Sequence, residues 1–255
     1  MSLSIYTFAF LREGLMNRKI LITNDDGIDA DGIIRLARCA REFGDVWVVA
    51  PDSQRSAMSH SITLRHPIEA WEASFPVAGV KAYACTGTPA DCVRIGVRNI
   101  VPGKPDHVFS GINYGYNMAS DIQYSATAGA AFEAAFQKVH TIAFSENFDP
   151  DHSVADKYLR EIMAELLDKP LGNNQIWNVN FPGCNESECK GILRDRTVSV
   201  SDFYDDHYDE TVLENGRTSY MVVGVRQYEA EEGSDLRAIL DNYVSIGKVS
   251  NICSV

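Results

Sequence analysis

Short apolar runs alternate with segments of helical period over the first two-thirds of this chain, and that alternation constrains its fold more than any other feature. Residues 19–23 (KILIT) form an apolar run that ends in a polar turn. Residues 32–43 place Ile33, Leu36, Ala37 and Ala40 at helical spacing, and Gly44 stops the pattern. Residues 45–50 (DVWVVA) are a second buried-type strand, closed by Pro51. Further strands are expected at 106–110, 141–144 and 175–180, and helices at 89–97, 125–137 and 154–167. The segment 86–92 joins a strand to a helix, with Thr88 at its N-cap and Pro89 in the first turn. Strand and helix in strict alternation imply an α/β fold: a three-layer, Rossmann-like, mostly parallel sheet with helices on both faces.

The final third changes character. From 192 to 228 the pattern is β-like and is crossed by an acidic stretch, with Asn215-Gly216 as a strong turn signal. It reads as a C-terminal antiparallel β-hairpin extension. The expected organisation is a poorly ordered leader at 1–17, a catalytic domain at 18–190, and a β extension for oligomer contacts at 191–255.

With 255 residues the chain can bury a sizeable core. Its 23 basic against 35 acidic residues give a net charge of −12, which excludes a nucleic-acid or anionic-membrane surface. A small phosphate substrate remains compatible, because a bound divalent cation reverses the local field. No apolar run reaches membrane-spanning length, and no secretory signal is present. Six cysteines without a Cys-x-x-Cys point to a reducing, cytoplasmic setting rather than to a zinc knuckle.

In an open parallel sheet, ligands bind at the carboxyl ends of the strands. The loops there read Asn24-Asp25-Asp26-Gly27, then Pro51 to Ser56, then Gly111 to Asn117. Two adjacent carboxylates at a strand end repel each other and call for a cation or a proton. Carboxylate, hydroxyl and amide oxygens suit magnesium, manganese or calcium. Asp25 and Asp26 with Ser56 and Asn113 form such a set. Residues 121–127 lead into a small-residue helix whose free N–H groups, with Ser125 or Thr127, make a phosphate cradle. His60 is a further candidate as acid, base or phosphate contact. A signalling receiver domain needs an aspartate after a later strand, where this chain offers Asn113, and this chain is about twice as long as such a domain; a nicotinamide-dependent oxidoreductase lacks its G-x-G-x-x-G after the first strand.

At these motifs the chain resembles SurE, the stationary-phase survival family of metal-dependent 5′/3′-nucleotidases. The matching stretches are KILITNDDG from Lys19, APDSQRSAMSHSIT from Ala50, TGTPADC from Thr86, SGINYGYN from Ser110 and YSATAGA from Tyr124, with a short echo at YVSI from Tyr243. The resemblance implies a Rossmann-like domain whose C-terminal extension exchanges between subunits, giving a homodimer or homotetramer. It implies one divalent metal ion per subunit, magnesium or manganese, on Asp25, Asp26, Ser56 and Asn113. It places Asn117, Ser125 and Thr127 around the substrate phosphate. The chain departs from the family's usual GVNRGPN loop at Tyr114 and Tyr116, and it ends differently after YVSI. The function expected is hydrolysis of nucleoside 5′- (and 3′-) monophosphates by metal-activated water, with Asp25 or Asp26 accepting the proton. The alternative is a catalytically weakened nucleotide- or phosphate-binding protein of the same fold.

Overall fold

The computed structural model describes residues 18–148 and 151–252. The leader expected at 1–17 and the last three residues lie outside the described part. In chain order the elements are β1 (Lys19–Thr23), α1 (Asp31–Ala40), β2 (Asp45–Pro51), β3 (Ala70–Glu72), β4 (Lys81–Cys85), α2 (Pro89–Ile95), β5 (His107–Tyr114), α3 (Ala126–Phe136), β6 (His140–Glu146), α4 (Ser153–Leu166), β7 (Gln175–Phe181), β8 (Ile192–Arg196), β9 (Tyr204–Val212), β10 (Thr218–Arg226), α5 (Asp235–Leu240) and β11 (Val244–Ser250).

Each central strand feeds two cores. In β1, Ile20 and Ile22 face one cluster and Leu21 the other; in β2, Val46, Val48 and Ala50 alternate with Trp47 and Val49 in the same way. The first cluster is closed by α1 and α4, through Ile33, Leu36, Leu159 and Ile162. The second is closed by α2 and α3, through Cys92, Val93, Ala130 and Ala134. This is why these strands are continuous apolar runs: side chains of period two have no wet face to point into when helices cover both sides.

The sheet has nine strands in the order β3-β4-β2-β1-β5-β6-β7-β11-β8. Strands β4, β2, β1, β5, β6 and β7 run parallel. From β1 the chain winds outward through β2 to β4, then returns to lay β5 on the other side of β1. The β1/β5 boundary is therefore the switch point, where a crevice opens at the strands' carboxyl ends.

Several expectations change in detail. The strand expected at 106–110 continues to Tyr114 through a register shift between Ser110 and Asn113, with Gly111 at φ +129°. Asn113 thus sits on a strand end rather than in a free loop. A Cβ on Gly111 would stand 2.2 Å from the Phe144 carbonyl oxygen, so only glycine lets β5 pass β6 there. Beyond residue 190, β8 and β11 are strands of the central sheet, β11 pairing antiparallel with β7 and β8 parallel with β11. The separate hairpin is β9 and β10 alone, paired from Tyr204↔Arg226 to Val212↔Thr218. Its turn carries Gly216 at φ +76°, as Asn215-Gly216 predicts.

At the opposite end of the sheet from the crevice, His107 Nδ1 lies 3.3 Å from His140 Nδ1. Burial, reinforced by His140 and Arg18, pushes the His107 pKa from its ordinary 6.5 down to about 4; burial lowers His140 too. The folded state resists a proton that the unfolded chain accepts. The pair's contribution is therefore full above pH 6.5 and is lost as pH falls through about 4. Glu165, held down at about 2 chiefly by Arg194, loses its contribution in a lower window, between its ordinary 4.5 and about 2. Urea unfolding in magnesium buffer should show wild type losing more stability between pH 6.5 and 4 than His107→Gln does. Parallel pH profiles for the two proteins would contradict this assignment.

Candidate active site

Two loops are stitched together beneath the crevice. After β1, the buried Asn24 side chain donates to the Gly27 carbonyl at 2.8 Å and closes a turn that needs Gly27 at φ +101°. The Ile28 N–H donates to the Pro51 carbonyl at 2.9 Å, and the Arg55 N–H to the Asp25 carbonyl at 2.6 Å. The β1 turn and the loop after β2 thus share one backbone frame. Helix α1 begins hard against β5: a Cβ on Gly32 would lie 2.1 Å from the Ile112 carbonyl oxygen. Its glycine brings the acidic turn and Asn113 onto one ledge.

Asp25 is 3% exposed. Its Oδ1 accepts a hydrogen bond from the Thr127 hydroxyl on the first turn of α3. Burial pushes its pKa from 3.8 up to about 7; the Thr127 hydrogen bond opposes this, and the Asp26 charge adds to it. Asp26 is also raised by burial, against hydrogen bonds from the Tyr114 N–H at 3.1 Å and from the Gln54 side chain. Gln54 Nε2 donates to Ser56 Oγ at 3.0 Å. Asn113 spends an amide N–H on the Gly115 carbonyl at 2.8 Å, so the coordinating atom it has to offer is Oδ1.

These residues border a cavity of about 630 Å³. Asp25, Ser56, Asn113, Asn117 and Ser125 line it directly. Asp26 flanks it under Tyr114, and Thr127 lies behind Asp25. Ser125 caps α3, its Oγ accepting the Ala128 N–H at 2.9 Å, so the helix N-terminus opens on the cavity beside the carboxylates.

Two candidates have other occupations. His60 does not line the cavity; its Nε2 lies 3.0 Å from Glu133 Oε2, and its ring packs on Phe136 with centroids 5.3 Å apart. Asn117 lines the cavity but works as a knot. Its N–H donates to Asn180 Oδ1, its carbonyl accepts from the Asn178 and Asn180 amides, and its own amide donates to Ser145 Oγ at 2.7 Å. Asparagines inside the buried strand β7 are the sequence signal for that knot, since a polar side chain at such a position needs a partner.

The far side of the cavity was not foreseen. It is formed by Tyr114, Tyr116, Tyr124 and Phe148 together with Phe203 and Tyr204 at the root of the hairpin and Val222 midway along β10. Tyr116 accepts the Gly183 N–H on its hydroxyl at 2.7 Å and meets Phe203 edge-on, centroids 6.0 Å apart. Asp121 is the acidic member of this side, its pKa pushed up to about 6 by burial and by Asp206 and Asp202. These aromatics are scattered along the sequence, and only the tertiary fold collects them.

Comparison with known proteins agrees with this geometry. The family described as "Survival protein SurE" matches residues 20–202. A 5′-nucleotidase SurE of Clostridium botulinum is 39% identical over 232 residues, covering 89% of this chain and 90% of its own. One from Flavobacterium psychrophilum is 36% identical over 231 residues, covering 89% of each. The crystal structure of the SurE protein from Aquifex aeolicus superposes with a TM-score of 0.78 at 32% identity, covering 92% of this chain and 94% of that one. With its acidic turn, β5 ledge and helix N-terminus gathered at the β1/β5 switch point, the chain belongs to the SurE family.

Proposed function

We propose that this chain is a divalent-metal-dependent phosphomonoesterase that hydrolyses nucleoside 5′- (and 3′-) monophosphates to nucleoside and phosphate. The observation that carries the proposal is the placement of the Asp25-Asp26 pair, Ser56 and Asn113 on one cavity edge, in a chain of this family. The curated relatives bear the name 5′-nucleotidase.

The donor set suits a hard cation. Asp25 is a buried carboxylate lifted to about 7, the electrostatic condition that a bound divalent ion relieves. Among the described residues no group of three His, Cys, Asp or Glu forms a metal cluster. Two carboxylates, a hydroxyl and an amide oxygen make a magnesium or manganese set instead, one ion per subunit. When bound, such an ion stabilises charge on the phosphoryl oxygens and lowers the pKa of bound water.

The chain's own groups supply the rest. The N-terminus of α3, capped by Ser125, opens on the cavity, and there the helix dipole favours the negative charge of a phosphate. Thr127 holds Asp25 in orientation, and the Tyr114 N–H holds Asp26. Asp25 or Asp26 accepts the proton of the attacking water. We assign the enzyme to the cytoplasm, because the five described cysteines are all free thiols, as a reducing compartment keeps them.

The hairpin supports a homodimer or homotetramer. A two-stranded sheet is marginal alone, and this one exposes Tyr208, Tyr220, Met221 and Val225 by 49–68%. A partner copy would bury that surface. Light scattering after gel filtration should give two or four chains per particle, and Met221→Asp with Tyr208→Asp should shift the mass toward one. A wild-type monomer would defeat this assignment.

Two further measurements test the site. Phosphate release from nucleoside monophosphates should require magnesium or manganese and stop with chelator. Asp25→Asn and Asp26→Asn should each lower it about 100-fold or more; full activity in both variants would end the proposal. In the metal-free protein, the Asp25 contribution to stability is full below pH 3.8 and is lost as pH rises through about 7, because its folded pKa lies above its unfolded one. The rise in melting temperature on adding magnesium should therefore be small at pH 5.5 and large at pH 8, and flatter in Asp25→Asn. Equal gains at both pH values would remove Asp25 from the metal site.

A further inference from the structure

One side of the cavity is oxygen donors and the other is rings. Tyr114 and Phe148 meet edge to face with centroids 5.1 Å apart, and the Tyr114 hydroxyl donates to the Phe148 backbone carbonyl. The Tyr114 backbone is anchored in turn by its N–H on Asp26. Phe148 lies over Gly115, where a Cβ would stand 2.7 Å from the ring, so the glycine makes its seat. Although so held, the two rings remain 45% and 52% exposed. Among the described residues, no lysine, arginine or histidine lines the cavity. This side therefore offers no cation to a second phosphate and offers fixed π faces to a flat ring.

We infer that the Tyr114–Phe148 pair is a nucleobase platform and that Tyr114 sets specificity, favouring nucleotides over sugar phosphates that carry the same phosphoester. Tyr114 and Phe148 line the same cavity as Asn113 and Asp25, so one molecule can lay its base on the rings and its phosphate at Asp25. A sugar phosphate fills the polar half and leaves the rings wet. The inference rests on the nucleotidase reading of the site and names what holds the other end of the substrate.

The test compares adenosine 5′-monophosphate with ribose 5-phosphate in wild type, Tyr114→Ala, Tyr114→Phe and Phe148→Ala. Tyr114→Ala should lower kcat/KM for the nucleotide roughly 5- to 150-fold, mainly through KM, the range by which loss of one base-stacking ring weakens binding. Ribose 5-phosphate should stay within about twofold, and Tyr114→Phe, which keeps the ring, should retain nucleotide kcat/KM within about threefold. Phe148→Ala should follow Tyr114→Ala. Equal losses for both substrates, or none for either, would overturn the platform. Calorimetric binding of adenosine, which has no phosphate, separates the two readings. If wild type hydrolyses neither substrate, the nucleotidase reading fails. Adenosine binding that weakens in Tyr114→Ala then still supports the platform, and binding equal in the two proteins overturns it.

Discussion

Asp25 is a carboxylate taken out of water next to a second carboxylate, and the site depends on keeping it there. Burial, with the Asp26 charge added to it, opposes its charge. The surroundings answer with oriented dipoles: the Thr127 hydroxyl on its Oδ1, and a backbone frame that ties its own carbonyl to the loop after β2. None of these is a full counter-charge. The site is therefore left electrostatically incomplete in a way that a hard cation completes, and that incompleteness links the fold to metal-assisted phosphoryl chemistry.

The scaffold makes this arrangement rigid. Thr127 lies on the first turn of α3, so the helix that points its N-terminus at the phosphate is also the one that orients Asp25. Across the cavity, Asn117 ties the segment after β5 to β6 and β7 through Ser145, Asn178 and Asn180. Between these anchors β5 is held by two close approaches, Gly111 against Phe144 and Gly32 against Ile112. A side chain at either glycine would push Asn113 off the ledge it shares with the acidic turn.

Much of this was legible in the chain. Continuous apolar strands with helices between them require a doubly covered parallel sheet, and the carboxyl ends of such strands are where ligands go. That places Asp25, Asp26, Ser56 and Asn113 on one edge before any coordinate is known. Ser125 and Thr88 are both N-caps, as their positions before small-residue or proline-led helices imply. His60 was less legible because a loop histidine carries no direction of its own; packing turned it toward Glu133 and Phe136.

What the amino-acid order determined by itself was the layer architecture and the acidic turn, because hydrophobic period, caps and adjacent charges are local properties. What only the tertiary structure decided was which distant groups share the cavity. Thr127 meets Asp25 across 102 residues, and Tyr114 lies against Phe148 across 34. Strands β8 and β11 join the central sheet, and the root of the hairpin closes the aromatic side. The reason is physical: a side chain far off in sequence becomes a neighbour only when burial of the whole core makes that approach favourable, and no local pattern records it.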